Sequence, residues 1–180
     1  PQALSNASRL WPFFATDMNR LFAGCSESVP THAADQLLED IRSRSDLAVD
    51  LHSSNLHLWE SPQIRIIEGF DKKLIPLAQW CNVDVIWVHP MAPVFEYTLG
   101  YNLNRSKIPT LVVEAGVCLR LDRDINDRLF QGLIHLLCRT GILNLAGPEI
   151  PTVRTPRLIS SDHVAQIHAP KSGFFIRKID

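Results

Sequence analysis

Three short apolar runs, each closing on a polar or charged side chain, constrain this chain more than any other feature. Residues 46–52 read Asp-Leu-Ala-Val-Asp-Leu-His, residues 83–89 are rich in valine and isoleucine and end on His89, and residues 110–114 read Thr-Leu-Val-Val-Glu. Runs this short and this continuous suit strands buried on both faces, the condition of a parallel sheet covered by helices. Residues 63–67 predict a further short strand. Helical patterns alternate with them. Ala34, Leu37, Leu38 and Ile41 follow the i, i+3, i+4, i+7 spacing of one buried face, with Thr31 as the expected cap. Residues 72–81 and 95–106 predict two more helices. Residues 122–139 predict a long amphipathic one, with Gly141 just past its end.

The alternation predicts an α/β fold: a mainly parallel mixed sheet covered by helices. The texture changes near Gly147. Pro148, Pro151, Pro156 and Pro170 then punctuate short pieces at 153–159, 163–168 and 174–179. This predicts two units, an α/β domain over 1–147 and the beginning of a small β-rich domain over 148–180.

Composition narrows the function classes. Eighteen basic against nineteen acidic residues leave a net charge of −1, so no basic field exists to hold nucleic acid or an anionic membrane. No apolar run reaches the length of a bilayer span, and Pro1 to Ala7 carry neither a basic stretch nor an apolar one. Cys25, Cys81, Cys118 and Cys138 form no C-x-x-C pair and suit reduced core positions. Together these predict a cytoplasmic protein whose partner is a small molecule held at a local site. They leave self-association open.

Ligands of open α/β sheets sit beyond the carboxyl ends of strands, and two such ends carry chemistry. His52 leaves its strand into the polar loop Ser53-Ser54-Asn55, where a metal ligand would stand; Asp50, two residues earlier, shares its face and would orient the imidazole. A strand-end histidine bonded to backbone is the plainer alternative. Glu114 follows an apolar strand directly, and partial desolvation there would raise its pKa toward that of a general base. A helix-capping glutamate is the alternative. In the irregular opening, Arg9 with Asp17-Met-Asn19-Arg20 offers guanidinium forks suited to a planar carboxylate, or simply a surface ion-pair loop.

Taken in order, these residues resemble the succinylglutamate desuccinylase/aspartoacylase family. Asp17-Met-Asn-Arg20-Leu-Phe-Ala-Gly24 is similar to that family's D-L-N-R-x-F-P-G stretch, with Ala23 in place of proline. Asp50-Leu-His52 is similar to its D-L-H metal motif, and Val113-Glu114-Ala-Gly116 to its E-x-G motif. Residues 169–175 resemble the entry to the β domain of its deacylase-like members. The resemblance implies a zinc-carboxypeptidase-like catalytic domain that hydrolyses the amide of a small N-acyl amino acid. It implies zinc as cofactor, His52 as a metal ligand and Glu114 as the base. It also implies Asn19 and Arg20 as a carboxylate clamp, Arg9 as the group polarising the scissile carbonyl, and Arg105 as a further substrate arginine. The family's H-x-x-E metal pair would precede Pro1, so the expectation is a chain shortened at both ends. Two alternatives stand beside it: a non-catalytic carboxylate-binding module, and a zinc carboxypeptidase acting on peptides.

One internal rival exists, because His57-Leu-Trp-Glu60 has H-x-x-E spacing close to His52. Ser61-Pro62 follows at once and argues against the helix such a pair needs. A loop lining the pocket is the expectation there. His89 is expected as a packed strand end, His135 as structural, and the tryptophans as core or pocket wall.

Overall fold

The computed structural model describes residues 8–11, 14–24 and 27–173. Among them, five strands form one sheet: β1 (Ala48–Ser53), β2 (Glu60–Ile67), β3 (Val85–His89), β4 (Thr110–Gly116) and β5 (Arg157–Ile159). Four α-helices accompany them: α1 (Val29–Arg44), α2 (Asp71–Ala78), α3 (Leu99–Arg105) and α4 (Arg123–Arg139). The strand order is β1-β4-β2-β3-β5. Three pairs are parallel (β1/β4, β2/β3, β3/β5), and β2 runs antiparallel to β4. The α/β fold with a mainly parallel mixed sheet is therefore present.

The two sheet faces differ, because alternate residues of each strand point to opposite sides. Pro62, Ile64 and Ile66 of β2, Leu111 and Val113 of β4 and Ile86 of β3 are buried. All but Pro62 belong to one apolar cluster with Leu74 and Ala78 of α2 and Leu136 of α4. Burial of such side chains contributes roughly 1.5–3 kcal/mol each and holds the sheet to those helices. The opposite face carries Asp50, His52, Gln63, Arg65, Trp87, Val112 and Glu114, most of them only half-buried. Helix α3 crosses this second face. Asn104 bonds both backbone groups of Thr110, and Gly100 lies so close to Val112 that a Cβ there would stand 2.7 Å from its methyl. Going back along α3 thus means going forward along β4, so the N-terminus of α3 lies toward Glu114.

Helix boundaries follow local chemistry. Asp122 caps α4 by accepting from Ile125 N–H, and Gly141 follows the helix at φ +79°. The cap of α1 lies three residues before Thr31, because Ser28 takes that position and Pro30 occupies the first turn. Thr31 is instead buried, its hydroxyl 2.8 Å from that of Ser28. The expected face of α1 is only partly covered: Ala34 is buried but Leu37 is exposed. The helix expected over 95–106 divides at Thr98 into a 3-10 turn, Pro93–Tyr97, and α3.

The later residues require two corrections. Residues 157–159 do not open a separate sheet; they pair with β3 as the outer strand of the main one. Residues 163–168 form no strand, only the end of a 3-10 turn and irregular chain. The strand expected at 174–179 lies outside the described residues.

Candidate functional site

Glu114 sits in the body of β4 rather than just after it, on the half-covered face. In the ladder it is paired with His52 of β1 on one side and with Gln63 of β2 on the other. Neighbouring strands stand about 4.8 Å apart, so the imidazole and the carboxylate are adjacent side chains on one face. His52 Nε2 lies 3.0 Å from Asp50 Oδ2. That contact is close but off the line of a good hydrogen bond, which leaves Nε2 buried without an aligned partner. The Asp50 carboxylate nevertheless raises the pKa of His52, against the opposing effect of burial, and the charge of Glu114 adds to it. Burial raises the pKa of Glu114; the Arg65 and His52 charges oppose this, while Glu60 and Asp50 reinforce it.

Sequence reasoning passed over Arg65 and set Glu60 only within a rival metal site. Both are part of this cluster. Arg65 Nη2 is 2.9 Å from Glu60 Oε2, and Nη1 is 3.7 Å from Glu114 Oε1. Glu60 also accepts from Ser54 Oγ at 3.3 Å and Gln63 Nε2 at 3.2 Å. The guanidinium lies over the Trp87 ring at 5.6 Å. The signal for Arg65 was its place inside the apolar strand Gln63-Ile-Arg-Ile-Ile67. A charge there is costly unless paired, so partners had to converge on it.

The other expected residues are distributed as follows. Asp17 caps the 3-10 turn Met18–Arg20. Asn19 Oδ1 accepts from Leu99 N–H at 2.8 Å, which places Asn19 at the N-terminus of α3, the end that lies toward Glu114. Arg20 is exposed and donates to the Asn19 carbonyl. Arg9 is largely exposed and pairs with Asp17 at 2.6 Å rather than with Glu114 or His52. Burial opposes ionisation of Asp17, but the Arg9 hydrogen bond, the Asn19 N–H and the nearby arginine charges hold its pKa below the usual range. Ala23, where the family stretch carries proline, has φ +60°, a value the proline ring forbids. Arg105 is exposed at the far end of α3, beside the start of β4 and about 13 Å of strand rise from Glu114.

His57 is exposed in a loop whose turn is made by Asn55 Oδ1 accepting from His57 and Leu58 N–H. Among the described residues no group of three His, Cys, Asp or Glu is arranged to hold a metal ion. Trp59 joins Gly116, Arg120, Leu121 and Arg123 around a cavity of about 430 Å³ past the end of β4. His89 lies at the opposite end of the sheet because β3 runs against β4; it is buried against Trp87 and Phe95. Burial lowers its pKa. His135 Nδ1 lies 3.1 Å from the Trp80 carbonyl, a structural contact between α4 and the loop after α2. Cys81 is buried and its thiol is pushed up to about 12 by burial; Cys118 and Cys138 are half-buried and unpaired, and Cys25 lies outside the described residues. No described helix is long and apolar enough to cross a membrane.

No family model matches this chain, and no curated protein does. Solved structures do. A succinylglutamate desuccinylase from Silicibacter sp. TM1040 is 20% identical with a TM-score of 0.78, over 93% of this chain and 51% of that one. A succinylglutamate desuccinylase/aspartoacylase from Rhodobacter sphaeroides is 21% identical with a TM-score of 0.71, over 88% and 48%. A product-bound ectoine utilization protein from Ruegeria pomeroyi is 18% identical with a TM-score of 0.73, over 88% and 48%. The chain thus shares the fold of these proteins and spans about half their length.

Proposed function

We propose that the intact protein is a deacylase that hydrolyses the amide bond of a small N-acyl amino acid or related carboxylate-bearing amide, with Glu114 as general base and His52 as one ligand of a catalytic zinc ion. One observation carries this reading: His52 and Glu114, 62 positions apart in the chain, are direct ladder partners on a polar, half-covered face. The shared fold supports it at the level of the family.

The described residues fit one corner of a zinc site. A half-buried imidazole with a carboxylate 3.0 Å from Nε2 is one adjustment away from the hydrogen bond that orients a metal-binding histidine and raises its basicity. They do not complete one, since catalytic zinc takes three protein ligands. When bound, zinc would supply Lewis acidity toward the amide carbonyl and toward water. Glu114, its pKa raised by burial, takes a proton from the attacking water and returns it to the leaving amine. Asn19, fixed at the start of α3, and Arg20 on the same turn form the carboxylate-recognising side, so binding energy remote from the reacting bond orients it.

The test compares wild-type intact protein with Glu114→Gln on a panel of N-acyl amino acids. The isosteric amide keeps the shape and removes the base, so kcat falls by roughly 10²–10⁴. Unchanged turnover of every amide that the wild type cleaves would overturn the assignment, and metal analysis of the same preparations reports on the zinc.

A further inference from the structure

Arg65 has no part in the mechanism above, yet the fold places it with unusual specificity. Glu60 and Arg65 are five residues apart, and in a regular strand such residues point to opposite faces. Here the register between Glu60 and Gln63 shifts, so that Glu60 opposes Gly116 while Gln63 opposes Glu114. The extra residue is a bulge, and it turns Glu60 onto the face of Gln63 and Arg65. Pro62 sits in that bulge, fully buried, where a residue without an N–H is tolerated. Ser54 and Gln63 then hold the Glu60 carboxylate, and Glu60 holds one arm of the guanidinium at 2.9 Å. Trp87, the ladder partner of Arg65, walls its flat side. The second arm is left 3.7 Å from Glu114.

We propose that Arg65, braced by Glu60 and Trp87, is the positioning residue that fixes the Glu114 carboxylate without capturing it. The proposal rests on the assignment of Glu114 as base. At 3.7 Å the guanidinium attracts the carboxylate, and its planar fork restricts where the attraction is strongest. A bidentate pair at ordinary hydrogen-bond distance would occupy the lone pairs a base needs for water. The pull of Glu60 on the other arm keeps that from happening. The brace also starts beside His52, since Ser54 follows that strand, so the strand of the expected metal ligand and the strand of the base are tied through one polar chain.

The experiment determines high-resolution crystal structures of the intact wild type, Arg65→Met, Arg65→Lys and Glu60→Gln, and measures kcat and KM for each. In Arg65→Met the Glu114 carboxylate loses its single position. Its kcat falls by roughly 10²-fold, the penalty for misplacing a reacting group by about 1 Å, while KM stays within about threefold. Added guanidinium ion restores part of kcat. Arg65→Lys, which keeps the charge and retains the fold if Met does not, shows a smaller loss. In Glu60→Gln, Arg65 closes onto Glu114 at hydrogen-bond distance and kcat again falls. An unmoved Glu114 in Arg65→Met and Arg65→Lys, or a defect confined to KM, overturns the proposal. Full turnover by Glu114→Gln would instead remove the base assignment; the crystal structures then decide alone whether Arg65 positions that carboxylate.

Discussion

Gly132 lies in the middle of α4, where alanine is ordinarily the better helix former by about 1 kcal/mol. Gly132→Ala nevertheless destabilises this protein. A Cβ on residue 132 would stand 2.0 Å from the Cys81 carbonyl oxygen and 2.4 Å from its carbon, whereas ordinary contact begins at 3.4 Å. Both neighbours are backbone, so no side chain can turn aside; α4 must lift by more than an ångström from the loop that joins α2 to β3. That loop is docked by three bonds, Arg128 Nε to the Asn82 carbonyl at 2.9 Å, Asn82 Nδ2 to the Arg128 carbonyl at 3.0 Å, and His135 to the Trp80 carbonyl at 3.1 Å. Overpacking of this kind costs about 1–3 kcal/mol, and each strained or lost hydrogen bond adds about 1 kcal/mol. Set against the gain in helix propensity, the net is about 3 kcal/mol of lost stability. For a chain of this size that lowers Tm by roughly 6–12 °C. Urea unfolding followed by circular dichroism, with calorimetry for Tm, measures it. An alanine variant as stable as the wild type, or more so, would refute the close approach of α4 to Cys81.

Asp84 accepts from Ser61 and pairs with Arg128 at 2.8 Å and Arg154 at 3.4 Å, so Asp84→Asn should lower stability at neutral pH by about 1–2 kcal/mol in chemical denaturation. Burial works against its ionisation, but Arg128, Ser61 and Arg154 depress its pKa below the ordinary 3.8. The contribution is therefore present above that value and lost as pH falls through the lower folded value, so the gap between wild type and Asp84→Asn narrows in acid. On the proposed reading of His52 as a zinc ligand, Asp50→Ala should weaken zinc binding by the intact protein roughly 10–100-fold in a chelator competition, because it removes the carboxylate beside the imidazole; equal affinities would deny Asp50 an orienting role.

What was legible in the sequence was local. The polar ends of the apolar runs gave His52 and Glu114, and Asp122 and Gly141 gave the limits of α4, because caps and strand ends are settled by a few adjacent residues. Ser28 and Thr31 are both N-capping types, and only the burial of Thr31 distinguishes them. Arg65 was hidden for a different reason. Its meaning lies in the pairing of β2 with β4 and in the bulge at Pro62, and neither can be read from a period-two pattern. Residues 153–159 read as the first strand of a new β-rich unit because proline-punctuated chain looks alike whether it begins a sheet or closes one. Here Asp84 decides, accepting Arg157 N–H through its carbonyl and Arg154 through its carboxylate.

The direction of β2 is the feature that makes the cluster possible. In an all-parallel sheet, the start of β2 would lie at the amino ends of β1 and β4, away from His52 and Glu114. Because β2 runs against β4, its first residue Glu60 faces Gly116, and the carboxyl ends of two strands meet the beginning of a third. Ligands of open α/β sheets sit beyond the carboxyl ends of strands, and here two such ends lie side by side. The antiparallel pairing brings Asp50, His52, Glu60 and Glu114 together with Arg65 on one face of the sheet, an excess of carboxylates over fixed cations in half-buried surroundings. Such a set is unfavourable as mere structure, since apolar residues of the same volume would pack the face more stably. Placed on the half-covered side, opposite an apolar one, it is the set of charges on which the proposed chemistry draws.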